Sequence, residues 1–116
     1  MDLNTLLRLA RREASETEPD TVAGALADYL VLDVREPQEV LCGFLPYAVN
    51  VPRGILEQQV SGDAAFRDRR RPILVYSGKG VRSLLACATL KQLGFANVSS
   101  LAGGIERWCA EDLPIH

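Results

Sequence analysis

Two short apolar runs constrain this chain more than any other feature: "YLVLDV" at residues 29–34 and "ILVY" at residues 73–76. Neither alternates apolar with polar residues. Each therefore fits a strand buried on both faces, as in a parallel sheet covered by helices. "AVNVP" at 48–52 and "NVSSL" at 97–101 read as two further strands. Helical patterns fill the gaps. A short helix starts near Pro37, a residue favoured in the first helical turn. Residues 53–71 read as helical pieces interrupted at Ser61 and Gly62. Residues 81–93 form a longer helix, with Leu84, Leu85, Ala88 and Leu93 on its apolar side and Gly94 at its C-cap. "GGIERWCAED" closes the chain as a helix, with Pro114 after it. Alternation of this kind predicts an α/β fold with a parallel sheet and helices on both faces. Ligands bind such sheets beyond the carboxyl ends of the strands, where the loops at 34–37 and 77–82 lie.

Upstream, Leu3, Leu6, Leu7 and Ala10 recur at helical spacing, with Arg8, Arg11 and Arg12 outside that set. Residues 3–14 are expected to form an amphipathic helix that docks on its own domain, the commoner case, or on a partner. The polar, proline-bearing "SETEPD" at 15–20 reads as a linker, and residues 21–28 as a second short helix. The organisation expected is a helix and linker over 1–19 and one α/β domain over 20–116.

Composition excludes several classes of function. A chain of 116 residues with 47% hydrophobic content can bury a core without disulfides or metal. A net charge of -2 gives no global attraction to nucleic acid or to an anionic membrane, so any anion site must be local. No apolar run approaches the roughly 20 residues that span a bilayer. The N-terminus does not follow the order of a secretory signal, so the expected compartment is the cytoplasm. Cys42, Cys87 and Cys109 are widely spaced with no CxxC pair, which suits reduced thiols better than a zinc site or a disulfide framework. His116 is the sole histidine and the last residue, which argues against a His-dependent triad or metal centre. No metal and no cofactor is expected. The run "RDRRR" at 67–71 reads as a solvated turn, with a partner-docking patch as the sharper alternative.

The chemistry concentrates in "SGKGVRS" at 77–83. Gly78 and Gly80 let successive backbone N–H groups turn inward and form a nest for an anion. The helix entered at Val81, Arg82 and Ser83 adds its dipole and its unpaired donors. Arg82 can close over the nest with a planar fork, and Lys79 adds charge. The spacing does not match a Walker A loop. Ser77 heads this loop, yet no histidine is available to activate it.

Three ordered motifs resemble the rhodanese family. "VLDVREPQEVLCGFLPYAVNVPRG" at 31–54 is similar to the family's Asp-Val-Arg-Glu loop followed by Gly-His-Ile-Pro-Gly-Ala and Asn-Ile-Pro. "VYSGKGVRS" at 75–83 is similar to the family's active-site loop, and "LGFANVSSLAGGIERW" at 93–108 to its closing segment. The resemblance implies a single module with a five-stranded parallel sheet. It also implies sulfane-sulfur transfer, in which a loop cysteine takes sulfur from a small anionic donor such as thiosulfate, or from a protein persulfide, and hands it to a thiol or to cyanide. The frame here is Ser77, four residues, Arg82. Phosphatases of the same fold carry a loop one residue longer, so the length points to sulfur rather than phosphate.

The sequence departs from the family at three positions. Ser77 stands where the persulfide-forming cysteine belongs, Phe44 where the histidine is usual, and Tyr47 where the next glycine is usual. A thiol starts near pKa ~8.5 and falls readily at a helix N-terminus. A hydroxyl starts near the ~15.7 of water, and environments shift pKa by roughly 3–5 units at most. Ser77 is thus expected to be inert in sulfur transfer. Two origins fit: a sulfurtransferase whose cysteine was replaced by serine, or a natural, silent module that binds an anion or a protein. Among the other thiols, Cys87 reads as a core residue, Cys109 faces away from the loop, and Cys42 is the one nearest the site. Arg35 is assigned to the site rim, while Asp33 reads as a partner in an internal ion pair.

Overall fold

A computed structural model describes all residues, 1–116. Five strands form one sheet: β1 (Ser15–Thr17), β2 (Leu30–Asp33), β3 (Val49–Asn50), β4 (Ile73–Tyr76) and β5 (Val98–Leu101). Their spatial order is β1-β5-β4-β2-β3, and every neighbouring pair is parallel. Six α-helices connect and cover them: α1 (Leu3–Glu13), α2 (Pro19–Val22), α3 (Pro37–Val40), α4 (Leu56–Gly62), α5 (Val81–Gln92) and α6 (Gly104–Ala110).

The two apolar runs are strands buried on both faces, as expected. Along β4, Ile73 and Val75 point to one face, Leu74 and Tyr76 to the other. The first face joins Leu30, Leu32, Phe66, Cys87, Leu90 and Phe95 in one core. The second joins Val22, Val31, Leu45, Leu101 and Trp108. The helix at 81–93 was expected to bury Leu84, Leu85, Ala88 and Leu93. Leu84 is buried as expected, but so are Ser83, Ala86, Cys87 and Leu90, while Leu85, Ala88 and Leu93 are half-buried. The cause is a third layer: α1 packs on α5 from outside, so α5 is enclosed on two sides.

Two expectations need correction. The segment at 15–20 is not a linker throughout, because Ser15–Thr17 is edge strand β1, paired with Ser99, Ser100 and Leu101. The sheet therefore begins before residue 20. The apolar face of α1 is also only partly covered. Ala10 is buried and Leu7 half-buried, whereas Leu3 and Leu6 remain exposed, because the docking contact falls on the later turns of the helix. No helix is long and apolar enough to cross a membrane.

Candidate active site

The loop after β4 takes its shape from α6. The carbonyl oxygens of Ser77 and Gly78 accept hydrogen bonds from the N–H groups of Ile105 (2.9 Å) and Glu106 (3.0 Å), in the first turn of that helix. With these carbonyls turned outward, the N–H groups that follow turn inward. Gly80 N and Ser83 N both donate to Ser77 Oγ at 3.2 Å. The N–H groups of Gly78, Lys79, Val81 and Arg82 have no acceptor within the protein. Gly80 holds φ +96°, a left-handed value that a side chain would resist. The nest expected at Gly78–Ser83 is therefore formed, on the N-terminus of α5.

Ser77 lies at the bottom of the nest and is fully buried. Besides accepting from two backbone N–H groups, its hydroxyl donates to Ser83 Oγ at 3.2 Å. Ser83 Oγ in turn shares a 2.7 Å hydrogen bond with Ser100 Oγ on β5. All three serines are buried. Ser100 was not foreseen from sequence, because only the β4–β5 pairing brings it near the loop.

Arg82 is not free to close on an anion alone. Its Nη1 and Nη2 donate to both carboxylate oxygens of Glu39, at 2.7 and 2.8 Å. Glu39 was missed in the sequence reading, since 43 residues separate the pair. A local signal did exist: Glu39 is the N3 residue of a capping box begun by Glu36 on α3. The bidentate contact with Arg82 holds the Glu39 carboxyl down to about 2, from an ordinary 4.5. Glu39, Ser77, Gly78, Lys79, Val81, Arg82 and Glu106 line an open cavity of about 400 Å³. A larger cavity of about 500 Å³ at Ile55, Gln58, Gln59, Gly62 and Asp63 offers only amides and one carboxylate. Chemistry, not size, therefore identifies the site.

Arg35 does not lie on the rim. It is 5% exposed, and its Nε and Nη2 donate to the Asp33 carboxylate, the closest contact being 2.8 Å. Nη2 and Nη1 also donate to the carbonyls of Gly43 (2.7 Å) and Glu39 (3.2 Å). A buried guanidinium needs this many acceptors, which is why it turns inward. Asn50 Nδ2 braces the same loop by donating to the carbonyls of Asp33 and Arg35 at 2.9 Å. The internal ion pair expected of Asp33 is present. The pair supports α3, and α3 presents Glu39 to Arg82.

The remaining candidates separate cleanly. Cys87 is buried, and burial pushes its thiol up to about 12, so it is inert. Cys42 and Cys109 are exposed and lie outside the cavity lining. Phe44 packs its ring against His116, at 6.0 Å between centroids. Tyr47 holds φ +69° with an exposed side chain, a left-handed backbone that glycine adopts more readily. No group of three or more His, Cys, Asp or Glu is placed to hold a metal.

Comparison with known proteins agrees with this geometry. The profile described as "Rhodanese-like domain" matches residues 18–111. A sulfurtransferase from Allochromatium vinosum is 34% identical over 104 residues, covering 87% of this chain and 94% of that protein. The polysulfide-sulfur transferase homodimer of Wolinella succinogenes superposes with a TM-score of 0.80 at 25% identity, over 97% of this chain and 85% of that one. A Rhodopseudomonas palustris protein of unknown function, described as a possible tyrosine phosphatase, superposes with a TM-score of 0.93 over 100% of this chain and 95% of its own. Its 24% identity makes that a likeness of fold. On motifs, sheet order and loop geometry together, the chain belongs to the rhodanese-like domain family.

Proposed function

We propose that this chain is a sulfurtransferase-type module whose residue-77 seat suits a thiolate but carries a hydroxyl, so that the Ser77 form does not transfer sulfur. One observation carries this reading: Ser77 Oγ is buried and accepts two backbone N–H groups at the N-terminus of α5. Those donors would hold a thiolate in place. They cannot bring a hydroxyl into the physiological range, and no base is hydrogen-bonded to Ser77 other than the serine hydroxyl of Ser83. The partners of such a site are a small anionic sulfur donor such as thiosulfate, or a protein thiol or persulfide. No cofactor is required. Three unpaired thiols favour the cytoplasm as its compartment.

In a form with cysteine at position 77, the thiolate attacks the outer sulfur of thiosulfate. The S–S bond breaks, sulfite departs with its electron pair, and a persulfide remains on the protein. The oxygen of Ser77 has no stable counterpart to that persulfide. A second reading, a silent module that holds an anion or a protein partner, is favoured by the serine itself together with the intact nest. Replacement of a natural cysteine by serine would account for the same residue.

The deciding experiment is Ser77→Cys followed by incubation with thiosulfate. The expected product is a protein heavier by one sulfur atom, with cyanide-dependent turnover, while the Ser77 chain shows neither. Failure of the Ser77→Cys chain to gain sulfur would remove the sulfurtransferase reading. Turnover by the Ser77 chain that disappears on Cys42→Ala would move the chemistry to Cys42.

A further inference from the structure

The charge balance at the mouth of the loop bears on which donor it accepts. Two cationic side chains line the cavity, Lys79 and Arg82. Arg82 already gives its fork to Glu39. Glu106 lines the same cavity, is exposed, and enters no ion pair; its own N–H fixes it to the loop through Gly78 O at 3.0 Å. The cavity lining thus sets two carboxylates, Glu39 and Glu106, against two cations, and its side chains supply no net positive charge. The remaining attraction for an anion comes from the unpaired loop N–H groups and the N-terminus of α5, which together act as about half an elementary charge. The cost of taking an anion out of water grows with the square of its charge, while its attraction to half a charge grows only in proportion, so such a nest suits one negative charge better than two.

From this geometry we infer that the mouth selects sulfane-sulfur donors whose reacting end carries at most one negative charge, the persulfide class, over a dianion such as thiosulfate. The inference rests on the sulfur-transfer reading above and narrows its substrate. With a persulfide, a thiolate at position 77 attacks the outer sulfur of R–S–S–H. A new S–S bond forms, the old one breaks, and its electron pair leaves on R–S⁻. The proton stays on the transferred sulfur, so no oxidant, reductant or second proton is needed. With thiosulfate the leaving group is a sulfite dianion, released beside Glu39 and Glu106.

The first test uses the Ser77 chain and needs no turnover. Thiosulfate and methanethiosulfonate offer the same terminal sulfur with two charges and one. Both are titrated at low ionic strength while the amide signals of residues 78–82 are followed. Methanethiosulfonate is expected to bind at least as tightly as thiosulfate. Glu106→Gln, an exposed substitution, is expected to tighten thiosulfate about fivefold and methanethiosulfonate about twofold. Thiosulfate binding ten times tighter than methanethiosulfonate to the unaltered chain overturns the inference. So does a Glu106→Gln chain that behaves like the parent, or binding by neither anion.

The second test adds Ser77→Cys and follows sulfur gain from thiosulfate, from cysteine persulfide and from a persulfidated peptide. Glu106→Gln in that background is expected to speed thiosulfate about fivefold and to leave both persulfides within about twofold. The two persulfide arms separate a small donor from a protein-borne one. Equal acceleration of all three donors overturns the inference. If the Ser77→Cys chain takes sulfur from none of them, the sulfur-transfer reading falls, and the titration of the Ser77 chain still decides the charge selection.

Discussion

Gly104 leaves room for Ser77: a Cβ on Gly104 would stand 2.5 Å from the carbonyl oxygens of both Ser77 and Gly78. Those two carbonyls are the ones that accept from the first turn of α6, and their outward turn points the loop N–H groups into the nest. Gly104 also holds φ +63°. Gly104→Ala therefore combines a backbone clash with left-handed strain. The expected cost is about 2–5 kcal/mol, the sum of overpacking and of an αL residue with a side chain. A urea transition moved to lower midpoint at unchanged slope would register it. In the Ser77→Cys background the same change is expected to abolish sulfur gain, since the nest can no longer close.

The Asp33–Arg35 pair is buried, with side chains 0% and 6% exposed. Asp33→Ala would leave the guanidinium of Arg35 with two carbonyls and no countercharge in a site closed to water. Breaking a buried pair in this way costs about 3–5 kcal/mol. Arg35→Lys is also expected to destabilise, because an ammonium cannot span Asp33, Gly43 O and Glu39 O together. Denaturant melts of the two variants check this. A loss below 1 kcal/mol for Asp33→Ala would show that the pair does not hold α3 in place.

Tyr47 carries a left-handed backbone and an exposed ring. A side chain there costs about 1–2 kcal/mol relative to glycine, offset by the smaller backbone entropy that tyrosine loses on folding. Tyr47→Gly is expected to stabilise the fold by about 0.5–1 kcal/mol, read as a higher urea midpoint. A lower midpoint would mean that the tyrosine ring makes contacts worth more than its strain.

Strands and nest were legible because their signals are local. The continuous apolar runs at β2 and β4 announce burial on both faces, and Gly78, Gly80 and Arg82 fall within five residues of one another. β1 was not legible: Ser15, Glu16 and Thr17 show no apolar alternation and become a strand only by pairing with β5. Arg35 was misplaced for a related reason. A charged residue two positions after a buried aspartate looks like a rim group until the carbonyls of Gly43 and Glu39 are seen around it. Leu3 and Leu6 carry a helical period faithfully, but periodicity does not say where along α1 the contact with α5 ends. Glu39 and Glu106 reach the loop from opposite directions along the chain. Their effect on its charge emerges only once α3 and α6 are in place.

Glu39 gives that charge balance a measurable handle. Its carboxyl ordinarily titrates at 4.5 and is held down to about 2, first by the hydrogen bonds from Arg82. A lowered carboxylate contributes stability that is fully present above the ordinary value, fades as pH falls below about 4.5, and is gone once pH passes below about 2. The side chains are 38% and 39% exposed, so solvent screening keeps this contribution below about 1 kcal/mol. The direct readout is the carboxyl carbon of Glu39 in an NMR titration, with an expected midpoint near 2. Arg82→Gln is expected to move the midpoint up toward 4.5, because the first cause of the depression is removed. A midpoint already near 4.5 in the unaltered chain would mean that Arg82 is free in solution. The mouth would then carry a mobile guanidinium, able to fold over a dianion.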